Sequence, residues 1–150
     1  MPINAEFQAV VLAGGRGSRM LELTAAQPKS LLPVGPHPLL WYPLLQLQDA
    51  GFAEALVVVQ AQQLEKIQGA MERQPLTIRL QFVAMPESCE DLGTADSLRM
   101  PELQERLKGD VLVMSGDVVG DVDLGGVMRT FRKHDASVAA LMLQPLGGEA

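Results

Sequence analysis

Short apolar runs alternate with helix-like patterns along most of this chain, and that alternation restricts the fold more than any single motif does. Five runs are typical of strands: residues 7–13, 55–61, 77–84, 110–117 and 137–143. Between the runs, apolar residues recur three and four positions apart, as they do at Leu40, Leu44 and Leu47. Strands that alternate with helices build a parallel sheet covered on both faces. The pattern therefore predicts an α/β fold with a mostly parallel sheet.

Residues that start or end helices indicate the approximate helix boundaries. Gly51 ends the first helix, and Thr94 is a plausible N-cap for a helix that begins at "TADSL". Pro101 breaks that helix or opens a further short one. Further apolar stripes at residues 64–71 and 124–131 predict two more helices. The run at 110–117 lacks polar alternation, which predicts the centre of the sheet.

Composition limits the classes of protein to which the chain can belong. Its 150 residues, 47% of them hydrophobic, suffice for one domain with a sizeable core, and the net charge of −6 argues against a chain that coats nucleic acid. Cys89 is the only cysteine, so no internal disulfide forms and a reducing compartment is expected. There is no leader pattern and no run of about 18 apolar residues, so we expect a cytosolic protein without membrane contact. Because the sequence stops just after a predicted strand, we expect a truncated part of a longer protein.

A glycine-rich loop follows the first predicted strand. The loop reads Gly14-Gly15-Arg16-Gly17-Ser18-Arg19, and Lys29 follows ten residues later. Glycines at the carboxyl end of a strand let backbone N–H groups approach an anion, and Arg19 and Lys29 supply charge for phosphate oxygens. The alternative is a tight turn whose arginines face water, and the loop alone leaves both interpretations open.

Two common phosphate motifs are excluded. No lysine follows the glycines at the spacing of a P-loop. In a dinucleotide-binding loop that began at Gly15, the third glycine would stand where the chain has Met20. The acidic residue that binds ribose in such folds is also missing, because the second strand ends in Gln60.

Two further residues are candidates for ligand contact. Asp117 ends the run "VLVMSGD", where a carboxylate is well placed to hold Mg²⁺ against phosphate oxygens; the alternative is a turn or capping aspartate. Gly93 precedes a predicted helix, where it gives a planar ligand access to the backbone or simply starts the helix. His37 lies between prolines, where a loop is expected, and His134 lies at a helix end, so neither is expected to be a ligand.

Taken together, these motifs resemble the sugar-phosphate nucleotidyltransferase family. The matching stretches are "LAGGRGSRMLELT", "PKSLLPVG", "LGTADSL" and "VLVMSGD", which span nearly the whole chain. The resemblance implies a Rossmann-like nucleotidyltransferase fold in which Gly14, Gly15 and Gly17 approach the triphosphate. It places Arg19 and Lys29 at the α-phosphate, Gly93 beside the base and Asp117 on Mg²⁺. The implied reaction is attack of a sugar 1-phosphate on a nucleoside triphosphate, with release of pyrophosphate.

The chain departs from the family pattern at three positions. Glu22 replaces a proline beside the phosphate loop and adds a negative charge there. Met85 stands where many relatives place a polar side chain that reads the base, and a thioether cannot donate a hydrogen bond. His37 replaces a common lysine. The second metal carboxylate of the enzymes comes from further along the domain, beyond residue 150.

These departures, together with "GTADSLR" and "HDAS", are similar to one branch of the family, the gamma subunits of eukaryotic translation initiation factor 2B. That likeness implies a regulatory and scaffold role in the guanine-nucleotide exchange factor for initiation factor 2. The implied partners are the catalytic epsilon subunit and the other subunits of the complex, with no required cofactor and with Mg²⁺ only alongside a nucleotide.

On this likeness, residues 1–150 form the N-terminal part of a nucleotidyltransferase-like domain, and hexapeptide repeats are expected beyond it. Two alternatives stay open. One is an active nucleotidyltransferase that uses Arg19 and Lys29 in catalysis, and the other is a pocket that binds nucleotide without turnover.

Overall fold

The structure is a computed structural model that describes residues 3–15, 27–86 and 94–142. Its centre is a sheet of four parallel strands, in the order β5-β4-β1-β6. The strands are β1 (Phe7–Leu12), β4 (Glu54–Gln60), β5 (Arg79–Met85) and β6 (Asp110–Ser115). A short antiparallel hairpin, β2 (Pro33–Val34) and β3 (His37–Pro38), lies between β1 and β4 in the chain. The predicted parallel α/β fold is confirmed.

The register brings the carboxyl ends of all four strands to the same edge of the sheet. Leu12 is paired with Val58 on one side and with Ser115 on the other. Gln60 at the end of β4 is paired with Met85 at the end of β5. In open parallel sheets this edge is where ligands bind, because the chain leaves the strands there in loops.

Helices cover both faces of the sheet. The helices are α1 (Trp41–Asp49), α2 (Leu64–Met71), α3 (Thr94–Arg99), α4 (Pro101–Gln104) and α5 (Leu124–Lys133). The first face carries α1, α2 and α5, whose buried side chains join Val11, Val57 and Val59 in one core cluster. On the second face, Leu103 of α4 packs with Val58 in a separate cluster. The helix at Pro101 begins with that proline, which confirms a short second helix there.

Two of the strand predictions are wrong. The run at 110–117 was expected in the centre of the sheet, but β6 is an edge strand of the described sheet and is mostly half-buried. A strand was expected at 137–143, yet residues 137–142 form none, and Val138 and Met142 are 82% and 84% exposed. Both runs are apolar enough for a buried strand. A strand also needs a neighbour to pair with, and the composition of a segment does not specify one.

None of the helices in the described ranges is both long and apolar enough to cross a bilayer.

Candidate functional site

The candidate site lies at the carboxyl edge of the sheet, between the ends of β1 and β6. Gly14 and Asp117 each come two residues after the register pair Leu12–Ser115. Hydrogen bonds continue the ladder past the strands, because Ala13 N donates to Val58 O and Gly116 N donates to Leu12 O, both at 2.8 Å. A Cβ on Gly116 would lie 3.0 Å from both Leu12 O and Ala13 Cβ. Because residue 116 has no side chain, the chain that leaves β6 can pass close to the end of β1. This path of the chain positions Asp117.

Lys29 reaches this edge from a single 3₁₀ turn, Lys29–Leu31. The turn is closed by Leu31 N, which donates to Pro28 O at 2.9 Å. It is tied to the start of α1 by a second bond, from Leu40 N to Ser30 O at 2.9 Å. The "PKSLLP" segment is thus fixed by its own backbone and by α1, so the position of the lysine follows from the fold.

Lys29 and Asp117 form an ion pair at the site, although 88 positions separate them in the sequence. Lys29 Nζ contacts Asp117 Oδ2, and Ser115 Oγ donates to the other carboxylate oxygen, Oδ1. The Lys29 ammonium, and secondarily the Ser115 hydroxyl, lower the pKa of Asp117 below its ordinary value. The two side chains are 27% and 38% exposed, so water and ligands reach the pair.

Gly14 faces the side chain of Met85. A Cβ at position 14 would lie 2.7 Å from Met85 Cε and 3.3 Å from its sulfur. Met85 is 4% exposed, and its sulfur accepts a hydrogen bond from Ser97 Oγ of α3 at 3.5 Å. A side chain at position 14 would therefore require the end of the flexible Met85 side chain to move out of the space that it now fills.

Gln60 lies next to Met85 in the sheet and is 3% exposed. Its Oε1 accepts a long hydrogen bond from Gln62 Nε2 at 3.4 Å. Its Nε2 is buried and has no hydrogen-bond partner among the residues that the structure describes. Because buried amide N–H groups nearly always have a partner, this donor at the edge of the candidate site needs an explanation.

The structure brings together some of the predicted site residues. Gly14, Gly15, Lys29 and Asp117 lie in the described ranges, and the last two are in direct contact. Gly17, Arg19 and Gly93 lie outside the described residues, as do Glu22 and Cys89. Their predicted roles stay predictions.

Two polar groups of the site, Ser115 and Ser97, were not predicted from the sequence, and Gln60 was considered there only because it rules out a dinucleotide motif. Gln60 does carry a signal, since it is a polar residue that ends a strand of apolar ones. Ser115 is the last residue of β6 and directly precedes the turn that contains Gly116 and Asp117. Ser115 belongs to the site because its hydroxyl donates a hydrogen bond to Asp117 Oδ1. A sequence pattern does not show that contact.

His37, the third departure from the family pattern, has a structural environment. It lies in β3, not in a loop as expected, and its ring stacks on Trp41 with centroids 3.7 Å apart and 12° between the planes. His37 Nδ1 and Gln74 Oε1 are 2.9 Å apart, in hydrogen-bond contact. The imidazole thus links the hairpin to α1 and to the chain after α2.

The donor set tells which kind of metal site this edge can form. Across residues 3–15, 27–86 and 94–142 there is no group of three or more His, Cys, Asp or Glu side chains arranged to hold a metal. Asp117 alone fits a Mg²⁺ ion that arrives with phosphate oxygens, since Mg²⁺ in nucleotide sites is commonly held by one or two carboxylates. If Mg²⁺ bound there, the Lys29 ammonium would have to move away from Asp117 Oδ2, or it would pair with a phosphate instead.

Comparison with known proteins gives two kinds of relative. Over 145 residues the chain is 29% identical to the translation initiation factor eIF2B subunit gamma of Caenorhabditis elegans, covering 91% of this chain and 34% of that protein. Over 136 residues it is 33% identical to the UTP–glucose-1-phosphate uridylyltransferase AglF of Haloferax volcanii, covering 91% of this chain and 54% of that protein. The chain therefore spans about a third to a half of these relatives.

The fold has close structural neighbours. A protein described as a glucose-1-phosphate thymidylyltransferase from Bacillus anthracis superposes with a TM-score of 0.69 at 20% identity, covering 85% of this chain and 50% of that one. At that identity the likeness shows the fold alone, and it agrees with the parallel sheet and its helices. The family model for nucleotidyl transferases matches residues 8–146. This match covers nearly the whole chain, and the protein belongs to the nucleotidyl transferase family.

Proposed function

We propose that this chain is part of a non-catalytic regulatory subunit of a guanine-nucleotide exchange factor for translation initiation, of the eIF2B gamma kind. The observation that carries the proposal is Met85, which fills the space beside Gly14 with an apolar thioether. A thioether offers no donor to a base, so the side chain that relatives use for recognition is missing at this position. Similarity to the Caenorhabditis elegans gamma subunit over most of the chain supports the same proposal.

In this proposal the nucleotidyltransferase fold serves as a framework for protein contacts. The remainder of the domain and the hexapeptide repeats are expected beyond residue 150. The catalytic epsilon subunit and the other subunits of the complex are the partners, and initiation factor 2 is the substrate of the whole assembly. The compartment in which it acts is the cytosol.

A second candidate function is an active sugar-phosphate nucleotidyltransferase. The contact between Lys29 and Asp117 favours it, because a cation for the phosphates and a carboxylate for Mg²⁺ lie together at the ligand-binding edge. The oxygen of a sugar 1-phosphate would form a bond to the α-phosphorus as the bond to pyrophosphate breaks. Catalysis would rest on positioning and charge, without a covalent intermediate. Similarity to the Haloferax volcanii uridylyltransferase supports this candidate.

One assay separates the two candidates. The full-length protein is incubated with Mg²⁺, each of the four nucleoside triphosphates and a panel of sugar 1-phosphates, and pyrophosphate release is measured. We expect no release above the level of the Lys29→Ala variant. Release by the wild type that is lost in Lys29→Ala would establish the enzyme and overturn the scaffold proposal.

Association with partners is the second test. The full-length protein is co-expressed with the epsilon subunit and purified through a tag on one of them. We expect the two to elute together in a stable ratio. A protein that elutes alone under these conditions would contradict the scaffold role, whatever the result of the turnover assay.

A further inference from the structure

We propose that the cleft between the β2–β3 hairpin and α2, which we name the hairpin groove, is a binding site for a small organic phosphate. In this proposal the phosphate pairs with Lys66 and Arg73, and the apolar body of the ligand lies against the prolines of the hairpin. The inference goes beyond the function proposed above, and its failure would leave both candidate functions as they stand.

The hairpin groove has the size of a small-molecule site. Its volume is about 370 Å³, and it is lined by Pro33, Pro36 and Pro38 of the hairpin and by residues of α2 and of the turn after that helix. Proteins hold small molecules in clefts of about 300–1,000 Å³. The groove therefore suits a ligand at the small end of that range, with an apolar part that contacts the prolines.

The two charged side chains of the groove are both cationic. Lys66 and Arg73 line it, whereas no Asp or Glu of the described residues does. The chain has 18 acidic and 12 basic residues, so two cations without a carboxylate run against its overall composition. A phosphate monoester carries about two negative charges at neutral pH and matches this pair.

The arrangement of α2 keeps its acidic residues out of the groove. Lys66 and Arg73 are seven positions apart, which is about two helical turns, and both line the groove. Glu72 instead accepts a hydrogen bond from Gln68 Nε2 at 3.0 Å, and neither Glu72 nor Glu65 is among the lining residues. An anion in the groove would therefore meet the cations of this segment without a carboxylate beside it.

Gln74 supplies an uncharged donor in the same groove. It lines the groove together with His37, and His37 Nδ1 lies 2.9 Å from Gln74 Oε1. Because a carbonyl oxygen only accepts, the imidazole donates in this contact, and the NH₂ group is the part of the Gln74 amide that remains for a ligand. Phosphate oxygens are acceptors, so an amide N–H group suits them.

The hairpin side of the groove is already in place without a ligand. The His37 ring stacks on Trp41, and the Tyr42 hydroxyl donates a hydrogen bond to Val34 O. The prolines of the hairpin have a fixed φ. Little conformational freedom remains to be lost on binding, which favours affinity.

The hairpin groove is separate from the candidate site at the carboxyl edge of the sheet. The two sites share one element, the turn Lys29–Leu31. Leu31 lines the groove, whereas Lys29 does not line it and contacts Asp117. A ligand in the groove would therefore contact this turn without competing for the ion pair.

The test is titration of the full-length protein with phenyl phosphate, inorganic phosphate and phenol, followed by calorimetry and by tryptophan fluorescence. Trp41 is the only tryptophan among residues 1–150 and stacks on His37 of the groove, so its emission reports occupation of this cleft. A Trp41→Phe variant measures the fluorescence that comes from elsewhere in the full-length protein. We expect phenyl phosphate to bind several-fold more tightly than either of its parts and to change the emission of Trp41.

Two pairs of substitutions locate the binding. Lys66→Gln combined with Arg73→Gln should weaken phenyl phosphate by about tenfold or more, through the loss of charge-assisted hydrogen bonds. Arg99→Gln combined with Lys133→Gln is the matched control, because it removes the same charge from exposed side chains outside the groove. The control should bind as the wild type does.

A single charge reversal provides a further check if the first pair of substitutions does not fold. Lys66→Glu changes one exposed side chain and should also weaken phenyl phosphate by about tenfold or more.

Four results would overturn the proposal. They are no binding of phenyl phosphate by the wild type, inorganic phosphate binding as tightly as phenyl phosphate, equal weakening by the two pairs of substitutions, and binding that leaves the emission of Trp41 unchanged.

Discussion

The ε-methyl carbon of Met85 lies 2.7 Å from the point where a Cβ on Gly14 would stand. At the carboxyl edge of the sheet, the Met85 side chain thus occupies the space that a side chain at position 14 would need, although about seventy positions separate the two residues in the chain. The glycine beside this methionine serves packing in the ligand-free protein, in addition to any contact with phosphate. This relationship gives the first prediction.

Gly14→Ala should destabilise the protein by about 1 kcal/mol, because the methyl group of Met85 has to move away. Met85→Ala alone should cost about 2–5 kcal/mol through the cavity that it leaves. In the double variant the new methyl group partly fills that cavity, so the two costs should sum to more than the measured loss. Denaturant unfolding of the four proteins measures the coupling. Gly15→Ala is the neutral control, because a Cβ there has no neighbour within 4 Å in the described part of the chain.

Gly116→Ala should be more harmful, because the new Cβ would meet backbone that cannot rotate away. Its backbone neighbours are Leu12 O at 3.0 Å and Ala13 Cα at 3.1 Å. We expect a loss of about 1–3 kcal/mol in the free energy of unfolding. Gly120→Ala, whose Cβ would have no described atom within 4 Å, should stay within about 0.5 kcal/mol of the wild type. Equal stabilities of the two variants would contradict the close approach of β6 to the end of β1.

The ion pair at the site predicts a pH dependence. The pKa of Asp117 is lowered in the folded protein, chiefly by Lys29, below its ordinary value of 3.8. The unfolded chain then binds a proton more readily than the folded one at acid pH. The stabilisation is complete above the ordinary pKa and is lost as the pH falls through the folded value.

Lys29→Met should therefore lower the free energy of unfolding at pH values above the ordinary pKa of Asp117. The loss should be less than about 1 kcal/mol, because the pair is partly exposed. Unfolding curves of wild type and variant between pH 2 and 6 measure it, and their difference should shrink towards the acid end. Arg79→Met is the matched comparison, since Arg79 lowers the pKa of Glu54 in a more exposed pair. Arg79→Met should change the free energy of unfolding by less than Lys29→Met does, and the variant should bind nucleotide as the wild type does.

The N-cap of α5 predicts a local loss of stability. Asp123 accepts a hydrogen bond from Gly126 N at 2.8 Å and contacts Arg129 at 3.2 Å. Asp123→Ala should lower the free energy of unfolding by about 1 kcal/mol, because an unpaired N–H remains at the helix start. Asp121→Ala is the control and should be neutral, since Asp121 is exposed and precedes the helix. Equal effects at both positions would contradict the capping role.

Much of the fold was predictable because local pattern and tertiary environment agree. Leu40, Leu44 and Leu47 recur at helical spacing, and the last two lie on the buried face of α1. The valines of β4 are buried on both faces, as their uninterrupted run predicts. The stripe at residues 124–131 forms α5, and Asp123 directly before it is the N-cap of that helix.

The errors have a common cause, which is that strand pairing is not a local property. β6 has a run as apolar as that of β4 but lies at an edge, and residues 137–142 are apolar but form no strand. The site shows the same limit. Each of Lys29 and Asp117 was a candidate from its motif, but only the parallel order of β1 and β6 places them in contact.

The distance in sequence between Lys29 and Asp117 has a consequence for synthesis of the protein. As the ribosome adds residues in order, β1 acquires its neighbour β4 well before β6 emerges. Until then one side of β1 has exposed N–H and C=O groups, and Lys29 has no carboxylate from β6 to meet. Non-local parallel pairing is slow, so the newly made chain passes through a period in which that strand side can join another polypeptide.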